Sequence, residues 1–117
     1  MESNLNTAPI AKQQKEFLLV LGHLYIQHAK YVEAKIVFEA LLLFFPKDYH
    51  IMRSLAYAYL SDGDYEHALE MNERSKHPMM AQEDNAFFFL IQSKALWRIG
   101  KTHEAKQAFN QFLSTHS

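Results

Sequence analysis

The sequence predicts an all-α chain made of three tandem helix–turn–helix units. Three observations carry that expectation. First, the 117 residues hold only 3 Gly and 3 Pro, too few for the tight turns that strand-rich domains use. Second, apolar residues recur with a helical period, as in Phe17, Leu18, Leu21, Leu24, Tyr25 and again in Val37, Phe38, Leu41, Leu42, Phe45. Third, the chain repeats itself. Leu21 and Leu55, Tyr25 and Tyr59, Tyr31 and Tyr65, and Ala34 and Ala68 are all separated by one and the same interval. A further copy follows at an interval three positions longer, through Leu60 and Trp97, Gly63 and Gly100, and Ala68 and Ala105.

In chain order, the polar opening MESNLNTAPIAKQQ reads as a flexible leader over residues 1–12, with no apolar core of a secretory signal. Helices follow over 12–28 and 31–45, the second stopped by Pro46. The next pair covers 49–61 and 65–76. Gly63 marks the stop, because glycine tolerates the left-handed cap, and Asp64 caps the following helix. The additional positions of the later interval fall in HPMMAQED, His77–Asp84, which reads as a loop. A final pair spans 83–99 and 102–115, divided at Gly100. Residues 13–117 thus form one domain, with units at about 15–48, 49–82 and 86–117.

The repeat resembles the tetratricopeptide repeat, a helix–turn–helix unit of the same period. The first copy offers Leu18, Leu21-Gly22, Tyr25, Ala34, Phe38 and Pro46; the second Met52, Leu55-Ala56, Tyr59, Gly63, Tyr65 and Ala68. The third offers Phe89, Leu96, Gly100, Ala105 and Phe109. It departs at Gln92-Ser93, and the second copy departs at Asn72 and Ser75. The resemblance implies a short right-handed superhelix with a concave groove. Small residues at Gly22, Ala56, Ala34, Ala68 and Ala105 would let paired helices approach closely.

Composition excludes several classes of function. With 12 Lys+Arg against 13 Asp+Glu, the net charge is -1, which argues against a nucleic-acid partner. No cysteine is present, so disulfides, thiol nucleophiles and thiolate metal sites are excluded. The apolar runs Phe17–Ile26 and Ile36–Phe45 fall short of the ~20 residues that cross a bilayer. Seven histidines, His23, His28, His50, His67, His77, His103 and His116, show no HExxH spacing. There is no glycine-rich phosphate loop and no GxSxG elbow. The acids Asp62, Asp64, Glu66, Glu83 and Asp84 sit at helix starts, where the helix dipole favours them. No catalytic constellation, metal site or cofactor is expected.

Protein binding is the remaining expectation. By the repeat's phase, the inner wall is lined by Leu19, His23 and Ile26, then Arg53, Tyr57 and Leu60, then Phe87, Leu90, Lys94 and Trp97. These are largely apolar and aromatic, the types that anchor partners; the same spacing also fits core packing. A carboxylate clamp of the kind used for peptide C-termini is missing, since Leu19, His23, Ser54, Phe87 and Ile91 occupy its positions. In the last helix, Phe109, Phe112 and Leu113 have no later layer of chain to cover them. They either tuck under the fifth helix or meet a partner.

The segment Lys12–Asp48 resembles the start of small bacterial type III secretion chaperones of the YscY (SctY) type. The likeness rests on Gln13-Gln14-Lys15-Glu16-Phe17-Leu18-Leu19 and on Ala40-Leu41-Leu42 closing at Pro46. It implies a cytoplasmic chaperone of a Gram-negative bacterium that binds an early-exported YscX (SctX)-like protein. The pair would engage the cytoplasmic domain of a YscV (SctV)-like export gate without inserting into the membrane. It implies a heterodimer or larger hetero-oligomer, with Arg53 and Lys94 orienting acidic partner residues. A chaperone of the needle subunit or of translocators, and a repeat module of some other system, are the competing expectations.

Overall fold

The computed structural model describes residues 12–116, with side chains described through Thr115. The expected leader lies outside these residues except for Lys12, which opens the first helix. Six helices and no strand are present among the described residues: α1 (Lys12–Gln27), α2 (Tyr31–Phe44), α3 (Tyr49–Ser61), α4 (Tyr65–Arg74), α5 (Gln82–Arg98) and α6 (Thr102–His116). The chain is all-α.

The three most extensive contacts join α1 to α2, α3 to α4 and α5 to α6. Contacts between α2 and α3 and between α4 and α5 link these pairs. The first helix of each pair also touches the first helix of the next, α1 on α3 and α3 on α5. The result is an elongated body of 54 × 30 × 20 Å. Its main core lies between the first two pairs, where Phe38, Leu41, Ile51, Leu55, Ala34 and Ala58 are fully buried or nearly so.

One turn recurs inside all three pairs. Lys30 N–H donates to Tyr25 O, Asp64 N–H to Tyr59 O, and Lys101 N–H to Leu96 O, at 2.7, 2.9 and 2.9 Å. Each is the bond from a residue to the carbonyl five before it that closes a helix through a left-handed residue. That residue is Gly63 (φ 82°) in the second pair and Gly100 (φ 90°) in the third. In the first it is Ala29 (φ 60°), a position the sequence does not flag. An L-residue with a Cβ is strained there by roughly 1–2 kcal/mol.

Helix starts follow local chemistry. Asp64 caps α4, accepting from His67 N–H at 3.4 Å, as the sequence predicts. Asp48 does the same for α3, accepting from Ile51 N–H at 3.1 Å. Burial alone would raise the Asp48 pKa, but the Lys15 ammonium at 2.6 Å and the Ile51 and His50 N–H groups outweigh it. The carboxyl is held below its usual 3.8. Helix α4 ends at Arg74, two residues before its expected end; the Ser75 N–H is shared between Met71 O and Asn72 O, and the Ser75 hydroxyl also donates to Asn72 O.

The departures of the second copy from the repeat pattern, Asn72 and Ser75, are both fully buried. Asn72 Nδ2 donates to Phe88 O at 3.0 Å and to Gln92 Oε1 at 2.9 Å, tying α4 to α5. Ser75 O accepts from an Arg53 guanidinium nitrogen at 3.2 Å. A hydrogen-bonded polar seam therefore joins the second and third pairs at positions where the repeat pattern has apolar and small residues.

Candidate functional site

The helix order fixes what each first helix presents. On α3, Ile51, Ser54 and Ala58 are buried, and Ile51 and Ala58 pack into the cluster with Ile26, Phe38 and Leu41. Their counterparts one repeat later on α5, Phe88, Ile91 and Ala95, are buried too. These faces look back onto the preceding pair. The opposite edges of α1 and α3 look forward and are covered by the next pair. Thus Ser54 Oγ lies 3.3 Å from His23 Nε2, and the Tyr57 and Phe87 rings lie 5.5 Å apart.

After α6 no further pair follows among the described residues, so the forward edge of the third pair is open. A groove of about 710 Å³ lies there. Leu60, Leu90, Trp97, Ala105 and Phe109 give it apolar walls, and Lys94, Arg98 and Lys106 supply its charge. No Asp or Glu lines it. Trp97 is 57% exposed and Phe109 is 43% exposed, so large aromatic surface faces solvent at this edge. Tyr65 also lines the groove and is fixed by Arg98, whose Nε donates to the Tyr65 hydroxyl at 3.1 Å.

Leu60, Leu90, Lys94, Trp97 and Phe109, all expected from the sequence, come together in this groove. Phe112 is half-buried and stacks on Phe109, with ring centroids 5.6 Å apart. Tyr57 and Phe87 are half-buried against each other. Leu19 and His23 sit between α1 and α3, with Leu19 packed on the main core. Ile26 belongs to that core and leaves almost no surface for a partner.

Arg53 needs a correction of placement. It is 4% exposed and its guanidinium bonds Ser75 O and, at 3.4 Å, Asp84 Oδ1. It holds the start of α5 against the end of α4, which leaves it no exposed charge for orienting a partner. The sequence missed Tyr65, Arg98, Lys106 and Asn110 as groove residues. Part of the signal lay in helical spacing: Lys94 and Arg98 on α5, and Lys106 and Asn110 on α6, are each one turn apart and share a face.

His23 illustrates the other kind of site here. Burial, and then the neighbouring His50, hold its pKa below the usual 6.5, so its ring is neutral near pH 7. It packs edge-to-face with the Phe38 ring, centroids 5.2 Å apart. The described residues contain no cluster of three or more metal-ligating side chains and no helix long and apolar enough to cross a membrane.

No protein-family model matches the chain, and no curated protein matches it significantly.

Proposed function

We propose that this chain is a tetratricopeptide-type binding protein, with three repeats in one domain, that captures an apolar segment of another polypeptide. We further propose, on the likeness of Lys12–Asp48, that it is a type III secretion chaperone of the YscY (SctY) type. On this reading it holds a YscX (SctX)-like export substrate in the cytoplasm of a Gram-negative bacterium and presents it to a YscV (SctV)-like gate. It works by shielding, without a cofactor or a chemical step.

The observation that carries the binding reading is the open groove with apolar walls and three unopposed cations, Lys94, Arg98 and Lys106. Apolar surface of that kind marks contact sites. The repeated turn and the stacked helix pairs support the repeat reading. A segment suited to the groove is an amphipathic helix with one apolar face and acidic flanks.

The test is co-expression of the tagged chain with candidate substrates, followed by mass spectrometry of what co-purifies. An early-exported YscX-like protein supports the reading; a needle subunit or translocator assigns the chain to a sister class. Trp97→Ala, at an exposed position, is expected to weaken capture by about 30-fold or more while the melting temperature holds. Undiminished capture by folded Trp97→Ala rejects the groove.

A further inference from the structure

We propose that copies of this chain stack end to end, the exposed face of α1 of one copy closing the open groove of another. This goes beyond capture of a foreign segment and does not depend on it.

The faces that look back, Ile51/Ser54/Ala58 and Phe88/Ile91/Ala95, share one spacing along their helices. The same positions on α1, one repeat before those on α3, are Phe17, Val20 and Leu24. Buried in the later helices, here they are 64%, 58% and 44% exposed. A helix face that met only water would carry polar residues at these places. This one keeps the large apolar residues of a stacking face.

The groove is the matching half. Its Leu90 lies one repeat after Arg53, which the next pair buries, and its Trp97 one repeat after Leu60, which is half-buried at the wall of the same groove. One chain therefore carries both halves of a junction it already builds twice within itself. Joining them needs no new geometry, only a second copy in the same register.

Charge agrees with that register. At the first junction the rings of His23 and His50 lie 6.4 Å apart; at the second, Tyr57 and Phe87 lie 5.5 Å apart. The next contact in the series pairs Lys94, one repeat after Tyr57, with Glu16 of a second copy, one repeat before His50. The two are oppositely charged, both are exposed, and neither has a partner within its own chain among the described residues. A second series runs from Tyr59, whose hydroxyl donates to Glu39 at 2.8 Å. It brings Tyr25 of the second copy to Asn110, a groove residue able to hydrogen-bond it.

Such a contact is head-to-tail. It produces a ladder of species that grows with concentration, in place of a single two-fold dimer.

Sedimentation velocity of the purified full chain across a wide range of concentrations tests this, with Glu16→Lys and Lys94→Glu as variants. Wild type is expected to form dimers and then longer species. Each variant alone sets like charges against each other and is expected to weaken association roughly tenfold. An equimolar mixture of the two restores opposite charges at the junctions between unlike copies and is expected to regain much of the wild-type association. Thermal melts confirm that both exposed-site variants remain folded. A monomer at every concentration overturns the proposal and leaves the α1 face to residues 1–11 or to a different protein. A dimer that stops growing, or association unmoved by either variant, overturns it as well.

Discussion

Gly22 and Phe38 are in direct contact across the α1–α2 pair: a Cβ built on Gly22 would stand 2.5 Å from Phe38 Cζ and 2.6 Å from Cε1. The Phe38 ring is fully buried. The Leu-Gly of the first repeat is thus a matched half of a pair. Where the ring gives way to the slimmer Asn72, one repeat on, the glycine gives way to Ala56.

Gly22→Ala is therefore expected to destabilise the fold by about 1–3 kcal/mol through overpacking. Combining it with Phe38→Leu should cost less than the sum of the two single changes, since each relieves the other. Chemical denaturation of the four proteins measures this. Additive losses would show that the two residues do not clash.

Ala29→Gly should stabilise. At φ 60° alanine is strained where Gly63 and Gly100 are not. The gain, reduced by glycine's greater freedom in the unfolded chain, is about 0.5–1 kcal/mol, or roughly 2–5 °C in melting temperature. The reverse changes, Gly63→Ala and Gly100→Ala, should lower it.

Arg53→Ala is expected to cost about 2–3 kcal/mol, because it removes the donor to Ser75 O and leaves Asp84 unpaired. Lys94→Ala, on the exposed rim of the groove, should stay within about 0.5 kcal/mol of wild type. Equal thermal shifts for the two would contradict the division between a structural and a surface cation.

Stability should fall as pH drops below about 6.5, and His23 should account for part of the slope. The sign follows from its lowered pKa. Once pH passes below the unfolded value, the unfolded chain takes up a proton that the buried ring resists, so folding loses ground. His23→Asn should flatten the slope of denaturation midpoint against pH.

Much of the fold was legible in the sequence because its signals are local. Apolar periodicity placed all six helices to within two residues at each end, and Asp64 and the two glycines marked where helices start and stop. The groove was legible in part. Leu60, Leu90, Lys94 and Trp97 follow from phase, since phase says which edge of a helix points forward, and Phe109 from the lack of a later layer over the last helix.

Phase could not say which forward edges are already occupied. Arg53 and Trp97 belong to corresponding edges of their helices, yet one lies beneath α5 and the other stands open at the end of the stack. Ala29 and Asn72 escaped for a similar reason. One is ordinary in composition but left-handed in backbone, and the other looks misplaced until the carbonyl of Phe88 arrives to meet it. The order of residues determined where the chain is helical and which side of each helix is apolar, because those depend on neighbours within a few positions. Only the stacking of pairs decided which apolar sides are spent inside the molecule and which remain, because burial depends on residues distant in sequence.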